Sequence, residues 1–456
     1  MTSGAKSSST GVVGAAPGVG EPLPTGAVSV DALAADAFAA DALTADGGIV
    51  TLRSVTASDA DGLTDLYQRS SAEALRLRFL SPPSSHVIAE EVSRLVRPPG
   101  RDHDVVVAEE GGRIIGVASF EREASRPTVA EFAVFVDDAH HGRGIGTLLL
   151  EHLSARARAR GITELVGDVL PTNAGMIKVA QQLTARPAMK LDQGVVGVGL
   201  STAVDQESLL IADARDRVAA QASLRPLLKP RSVAVVGAGR TPGGIGHATL
   251  QALISYGFTG KLYAVNPNAT EILGVASFPK VSAIPEPVEL IIVSVPAPSV
   301  AEVIADAGAA GTKAAVVLTS GFGETGDQQG QAELVRIARR HGMRLVGPNC
   351  LGVLNTDPEI RLAATFSPVL PPTGGLALAS QSGAVGIAVL DYAARTEVGL
   401  SSFVSLGNKA DVSGNDLLSY WFDDPATSAV ALYLESFGNP RRFARIARAL
   451  GRRKPV

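Results

Sequence analysis

Residues 128–161 read TVAEFAVFVDDAHHGRGIGTLLLEHLSARARARG. Thr128–Val136 is an apolar run of strand type. From Ile145 the apolar residues Leu148, Leu149 and Leu153 recur at helical spacing, with Gly161 as a stop. Between strand and helix lies His140-His141-Gly142-Arg143-Gly144-Ile145-Gly146. Glycines let such a turn aim successive N–H groups and a helix N-terminus at a pyrophosphate, and Arg143 adds a fixed positive charge. Upstream, VVVAEE (105–110) and RIIGVASF (113–120) are strands joined by a Gly111-Gly112 turn. The loop therefore follows the fourth strand of a meander and does not open a βαβ unit. Downstream come a strand, ELVGDVL (164–170), and a helix from about Asn173, which complete an α+β unit near residue 200.

That order of strand, glycine loop, long helix, strand and Pro171-Thr172-Asn173-Ala174-Gly175-Met176 resembles the GNAT superfamily of N-acetyltransferases over roughly residues 49–190. The resemblance implies that His141, Gly142, Arg143, Gly144, Ile145 and Gly146 bind the CoA pyrophosphate through their backbone. Val134 and Val136 would flank the pantetheine, and Asn173 would lie near the thiol end. His141 departs from the usual Gln or Arg, but the contact there is through backbone. Acetyl transfer to an amine needs a base, because an ammonium has no lone pair. Glu131 is the first candidate, acting directly or through a water with a pKa raised by burial, and Asp168 is the second. The bland alternatives for Glu131 are an exposed strand residue or the partner of a nearby Arg, and the catalytic role is preferred. No tyrosine lies in 160–200, so the acid for the thiolate stays open.

After Pro230 the pattern becomes strand–helix–strand: SVAVVG (232–237), KLYAVN (261–266), LIIVSV (290–295), AAVVLTS (314–320) and RLVG (344–347). Continuous Val/Ile/Leu runs alternating with helices predict a parallel, doubly wound sheet. A nicotinamide-dinucleotide site is rejected: the third glycine of G-x-G-x-x-G would fall on Pro242, and Asn266-Pro267 stands where a ribose-binding acid is needed. A second α/β stretch carries GLALAS (375–380), a helix from Ser382, SSFVSLG (401–407) and AVALYLES (429–436). It stops at Val456 where another strand is expected. Serine-hydrolase chemistry is excluded, since G-x-S-x-G would need glycines at Ser380 and Ala384. Cys350 reads as a packed residue, and His247 and His341 as surface or capping residues.

The motifs PRSVAVVGAGRTPGGIG, AVNPN, IIVSVPAPSV, SGFGE, GPNCLGVLN, SQSGAVG, VSLGNKADVSGNDLL and ALYLESF occur in order over 230–440. They resemble the α-subunit region of NDP-forming acyl-CoA synthetases and succinyl-CoA ligases. The resemblance implies CoA binding by Gly237, Gly239, Arg240, Thr241, Gly246, Asn266 and Pro296, with Asn268 where the family often has Lys. Asn349, Ser382, Gly383, Ala384 and Glu435 fall at the family's phosphate and ligase positions. The phosphorylated histidine and the ATP-grasp domain would follow Val456, so ligase activity is not expected of this chain.

The implied fold is an α+β GNAT domain (49–200), a linker helix (201–229), an α/β Rossmann-like CoA-binding domain (230–358) and a partial flavodoxin-like succinyl-CoA-ligase domain (359–456). The helix of the linker spans 206–222 and ends at the Pro226–Pro230 segment. Residues 1–48, with the biased run DALAADAFAADALTAD (31–46), read as a flexible tail. A net charge of -4 gives no reason to expect nucleic acid or an anionic membrane. The single cysteine excludes an internal disulfide, and no segment fits a membrane span, a secretion signal or a metal site, so cytoplasm is the default. The two-part architecture is similar to bacterial protein lysine acetyltransferases, whose Arg76 and Arg78 counterparts in SAEALRLRFLSP (71–82) lie near the acceptor. This implies acetyl-CoA as cofactor and a lysine of an AMP-forming acyl-CoA synthetase as target, with the synthetase-like region regulatory and a candidate for homo-oligomer formation. A ligase fragment and a small-amine acetyltransferase are the alternatives.

Overall fold

The computed structural model describes residues 39–184 and 187–456. Strands β1 (Ala39–Leu43), β2 (Ile49–Ser54), β3 (His103–Glu110), β4 (Arg113–Arg122), β5 (Val129–Val136), β6 (Glu164–Val169), β7 (Ala188–Asp192) and β8 (Val195–Ser201) form one sheet. Its order is β1-β2-β3-β4-β5-β6-β8-β7. Helices α1 (Ala60–Arg69), α2 (Ala72–Phe79), α3 (Ser85–Leu95), α4 (Ile145–Ala159) and α5 (Ala174–Leu183) cover it. Every neighbouring pair in this sheet is antiparallel except β5 and β6. That parallel pair is bonded only over Val129–Glu131 and Glu164–Val166. Beyond it the strands part.

The expected tail of residues 1–48 is corrected at its end. Ala39–Leu43 pairs with Ile49–Arg53, and Thr44–Gly48 is a closed turn in which Gly47 N–H donates to the Thr44 carbonyl. The loop after β5 accordingly follows the fifth strand of the chain. A low-complexity run can do this because Ala40 enters the core while Asp41 accepts a hydrogen bond from Thr51. Residues 1–38 lie outside the described residues.

The linker helix α6 spans Gln206–Leu228 and runs through Pro226, two turns further than its sequence suggests. Proline costs about 3 kcal/mol inside a helix. Here Leu224, Leu227 and Leu228 are fully buried in a core shared by both downstream sheets, which offsets that cost.

The second sheet holds β9 (Ser232–Val236), β10 (Lys261–Val265), β11 (Glu271–Ile272), β12 (Val275–Phe278), β13 (Leu290–Val293), β14 (Ala314–Val317) and β15 (Arg344–Val346). Its order is β11-β12-β10-β9-β13-β14-β15, and it is parallel apart from the β11–β12 pair. Helices α7 (Ile245–Tyr256), α8 (Ala297–Ala309) and α9 (Gln328–Arg340) flank it. The third sheet, β17-β16-β19-β18-β20, comprises β16 (Gly352–Asn355), β17 (Leu362–Thr365), β18 (Thr373–Ser380), β19 (Leu400–Ser405) and β20 (Ala429–Tyr433). With it pack α10 (Gly383–Arg395), α11 (Gly414–Asp423) and α12 (Pro440–Leu450). Strand β16 pairs with β17 and β19, so by backbone hydrogen bonding the third unit begins between Val346 and Gly352.

One buried ion pair fixes the first sheet to its central helix. Asp104 on β3 and Arg156 on α4 are both fully buried, bonded at 2.6 and 2.9 Å, and Arg160 adds a third contact at 3.0 Å. Removing one partner of such a pair leaves a buried charge uncompensated, which costs about 3–5 kcal/mol. Asp104→Ala should therefore bring forward the denaturant-induced loss of amide protection on β3 and β4, measured by hydrogen exchange, while leaving β9 and β13 protected.

Candidate active site

Where β5 and β6 part, a cleft of about 710 Å³ opens, within the usual range for small-molecule sites. One wall is Glu131–Val136 and the other Gly167–Val169. The glycine loop and the first turn of α4 form the floor, and Asn173, Met176 and Val179 of α5 close the side. His141, Gly142, Gly144, Ile145, Gly146, Val134, Val136, Asn173, Glu131 and Asp168 thus share one cavity.

Gly142 and Gly144 adopt φ of +79° and +83°, the left-handed region that disfavours a side chain, and a Cβ on either would meet nothing within 4 Å. Backbone is therefore open at both. The first N–H groups of α4 have no partner inside the helix and face this loop. Donor groups of that kind, in a cavity of this size, fit the diphosphate of a coenzyme A molecule. His141 holds the loop by donating from Nε2 to the Val136 carbonyl at 2.9 Å. Asn173 caps α5 through its Oδ1, which accepts from Met176 N–H at 3.0 Å.

Arg143 corrects an expectation. Its guanidinium is turned out of the cleft and paired with Glu110 at 2.7 Å and Asp46 at 2.8 Å, so it brings no free charge to a diphosphate. Glu131 corrects another. It is exposed, so the burial that was to tune it is absent. Among the described residues neither Glu131 nor Asp168 has a hydrogen-bond or ion-pair partner, which removes the reading of Glu131 as the mate of an Arg.

At the mouth beside Glu131 the fold assembles a network that sequence patterning does not disclose. Glu91 accepts from Arg78 at 2.6 Å and from Arg94 at 2.8 Å. Arg94 also bonds Glu121 at 2.7 Å and Ser119 at 3.2 Å, and His103 and Arg97 complete the surroundings of Glu121. Burial works against ionisation of Glu91, yet the two guanidinium groups hold its carboxyl below the usual range. Glu121 lies directly opposite Glu131 across β4 and β5. Its charge is already neutralised, whereas that of Glu131 is not. The i,i+3 pairing of Glu91 with Arg94 is legible on α3; the link to Glu121 is not. Arg76 pairs instead with Glu73 and reaches Thr172 at 3.4 Å. Tyr67 stacks on Phe135 behind the wall, where burial pushes its phenol to about 12 and closes it off from the cleft.

The second glycine loop follows β9. Gly237 has φ of +88°, and a Cβ on Gly246 would overlap the Gly237 carbonyl and Ser294 Oγ. The close helix–strand contact falls on Gly246, four residues after Pro242. Asn266 Nδ2 donates to the Ala238 carbonyl at 2.7 Å, and His247 Nδ1 lies 2.8 Å from the Gly239 carbonyl. His247 therefore braces the loop from beneath, where a surface or capping role was expected. Arg240 and Thr241 are exposed, and Pro296 is the N-cap of α8.

At the head of α10, Ser382 Oγ accepts from Val385 N–H, with Gly383 and Ala384 in the first turn. Gln381 Oε1 accepts from the N–H groups of Glu435 and Ser436 at 2.8 and 3.0 Å, bringing Glu435 beside this turn. Asn349 Nδ2 reaches Asn408 at 3.3 Å. Cys350 is buried against the Val317 carbonyl.

Residues 66–184 match the acetyltransferase (GNAT) family, residues 231–356 a CoA binding domain, and residues 373–456 the succinyl-CoA ligase like flavodoxin domain. The chain therefore carries a GNAT domain, a CoA-binding domain and a succinyl-CoA-ligase-like flavodoxin domain, in that order. Acetyl-CoA or CoA is the cofactor of these domains. The chain is 41% identical over 233 residues to an ADP-forming acetate–CoA ligase of Methanocaldococcus jannaschii, covering 51% of this chain and 32% of that protein. It is 42% identical over 240 residues to the ADP-forming acetate–CoA ligase I subunit alpha of Pyrococcus furiosus, covering 52% of it. The solved acetyl-coenzyme A synthetase 1 of Ca. Korarchaeum cryptofilum, in complex with phosphate and ADP, is 46% identical at a TM-score of 0.50, over 51% of this chain and 50% of that one. The GNAT domain of S. lividans PAT is 34% identical, with 96% of it and 36% of this chain covered and a TM-score of 0.33. The chain spans from about a third to about half of the curated relatives it matches. No helix among the described residues is long and apolar enough to cross a membrane.

Burial pushes the Cys350 thiol up to about 12, so it stays protonated at mildly alkaline pH. A thiol is reactive as its thiolate. The native protein should not react with a disulfide reagent under those conditions, and should release one equivalent after unfolding in guanidinium.

Proposed function

We propose that the chain is an acetyl-CoA-dependent protein lysine N-acetyltransferase, acting on a lysine of an AMP-forming acyl-CoA synthetase in the cytoplasm. The observation that carries the chemistry is the unpaired Glu131 carboxylate in the same cleft as the open glycine loop. His141 to Gly146 hold the diphosphate through backbone N–H groups, and Val134 and Val136 line the path of the pantetheine. Glu131 takes a proton from the acceptor ammonium, directly or through water, which frees the nitrogen lone pair to attack the thioester carbonyl carbon; as the C–N bond forms the C–S bond breaks and CoA leaves as its thiolate. Asp168 on the facing wall is the second candidate for that step. Arg78 and Arg94, held by Glu91 and Glu121, shape the mouth that receives the acceptor. The synthetase-like region binds CoA or acetyl-CoA at Gly237–Gly246 and regulates the transferase. Self-association of this region would use exposed apolar residues of its last unit, such as Tyr392 and Phe437.

A second reading is favoured by the 46% identity across the synthetase-like half. In it, Ser382, Gly383, Ala384, Asn349 and Glu435 serve an acyl-CoA ligase reaction together with a further ATP-binding unit. Formation of acetyl-CoA from acetate, CoA and ATP by the chain with such a unit would support it.

Positioned general bases contribute about 10²–10⁴-fold to rate. Glu131→Gln should lower kcat for acetylation of an AMP-forming acyl-CoA synthetase by about 10²-fold. Acetylation of polyamines and small amines, but of no synthetase, would replace the protein target with a small one. Unchanged kcat in the variant would remove Glu131 as the base.

A further inference from the structure

The segment Ala39–Gly48 touches three parts of the molecule at once. Its turn grips the loop of the acetyl-CoA cleft from outside: Ala45 N–H donates to the Arg143 carbonyl at 2.9 Å, and Asp46 pairs with the Arg143 guanidinium at 2.8 Å. Ala45 itself lines the cleft. Two glycines set the fit. A Cβ on Gly48 would overlap Arg143 Nη2, and one on Gly47, at φ of +86°, would overlap the backbone of Ala222 and Ser223 in the linker helix.

The strand that leads into this turn is tied to the synthetase-like region. Asp41 accepts from Arg339 of α9, whose other terminal nitrogen reaches Asp411 at 3.3 Å. Asp411 is buried and pairs with buried Arg344 at 2.9 Å; Arg344 in turn donates to Ser223 Oγ at 3.0 Å. Ser223 is the residue against which Gly47 packs. Asp41, Arg339, Asp411, Arg344, Ser223 and the Gly47 turn thus form a closed ring of contacts with Arg143 at its edge.

We infer that residues 39–48 are a strap that positions the diphosphate-binding loop of the transferase cleft and couples it to the synthetase-like region through Asp41 and Arg339. This rests on the cleft binding acetyl-CoA. The loop's glycines, at positive φ and with space around them, supply little rigidity of their own. The strap holds the one non-glycine residue between them by both its main chain and its side chain. Asp46 and Asp41 are positioning residues and touch no reacting atom. A shift of α9 or of the linker helix would move the strap, and with it the geometry of the loop.

Hydrogen exchange at residues 141–147 in the intact chain, titrated with acetyl-CoA, tests this. Acetyl-CoA should slow exchange there in the unsubstituted protein. In Asp46→Ala, whose side chain is half exposed, and in Gly47→Ala, exchange without ligand should be faster. Half-protection should then need about fivefold more acetyl-CoA, the scale of a lost partly exposed ion pair. Saturating acetyl-CoA should restore kcat, so the effect falls on KM. Arg339→Ala should shift the titration in the same direction, and Asp41→Ala/Arg339→Ala no further than either single change. If the unsubstituted loop is protected but Asp46→Ala titrates identically, the strap has no positioning role. Equal titration of Arg339→Ala with a shifted Asp46→Ala would overturn the coupling. Absence of protection in the unsubstituted protein would instead overturn the cleft as the acetyl-CoA site.

Discussion

Strands β5 and β6 stay bonded for three residue pairs and then separate. The cleft of the first domain depends on that parting. Two adjacent parallel strands that stop pairing leave backbone donors and acceptors along both inner edges, and such groups need partners. An extended ligand with amide groups can supply them. Phe132 fills the apex, where its ring and carbonyl abut Gly167 so closely that a Cβ there would lie 3.1 Å away. The helix that begins at Ile145 then caps the opened end with its N-terminus. Glu131, the last residue before the strands part, stands at the head of the cleft, which is why it shares a cavity with a loop more than ten residues downstream.

The domain arrangement rests on charge as much as on apolar burial. The linker helix contributes Leu224, Leu227 and Leu228 to the core of the synthetase-like region. Its first half instead uses ions: Arg215 pairs with Glu151 of α4 at 2.6 Å, and Asp213 with Arg445 of α12 at 2.8 Å. Burial drives the Glu151 carboxyl upward against the pull of Arg215, and burial lowers the neighbouring His152. A cavity of about 260 Å³ lies among these groups. Half-buried pairs of this kind add little net stability but punish misalignment, since each partner left alone is a partly desolvated charge. They fix how the domains meet more than they hold the domains together.

Sequence patterning located the glycine loop, its helix, the start of the helix near Asn173 and the parallel sheet with its second loop, because each is a local device. Glycine at positive φ, a capping side chain and a continuous β-branched run depend on neighbours within a few residues. Three of its misreadings share one reason. The repetitive Ala39–Gly48 run looked disordered because its partners, Thr51, Arg143, the linker helix and Arg339, lie far along the chain. Pro226 looked like a helix stop because the burial that overrides it comes from two other sheets. Arg143 looked like a free cation because its partner Glu110 sits on a strand more than thirty residues earlier.

What the sequence alone determined is local: two glycine loops, each between a strand and a helix, and an acidic residue on the strand leading into the first. Periodicity and turn chemistry are short-ranged, so they survive reading in one dimension. Which charges stay free was decided only by the tertiary structure. Glu121 and Glu131 are alike in sequence and directly opposite in the sheet, yet Arg94, Arg97 and His103 gather on the first and none reaches the second. Coulomb attraction acts through space, and only the folded chain says which side chains it brings within reach.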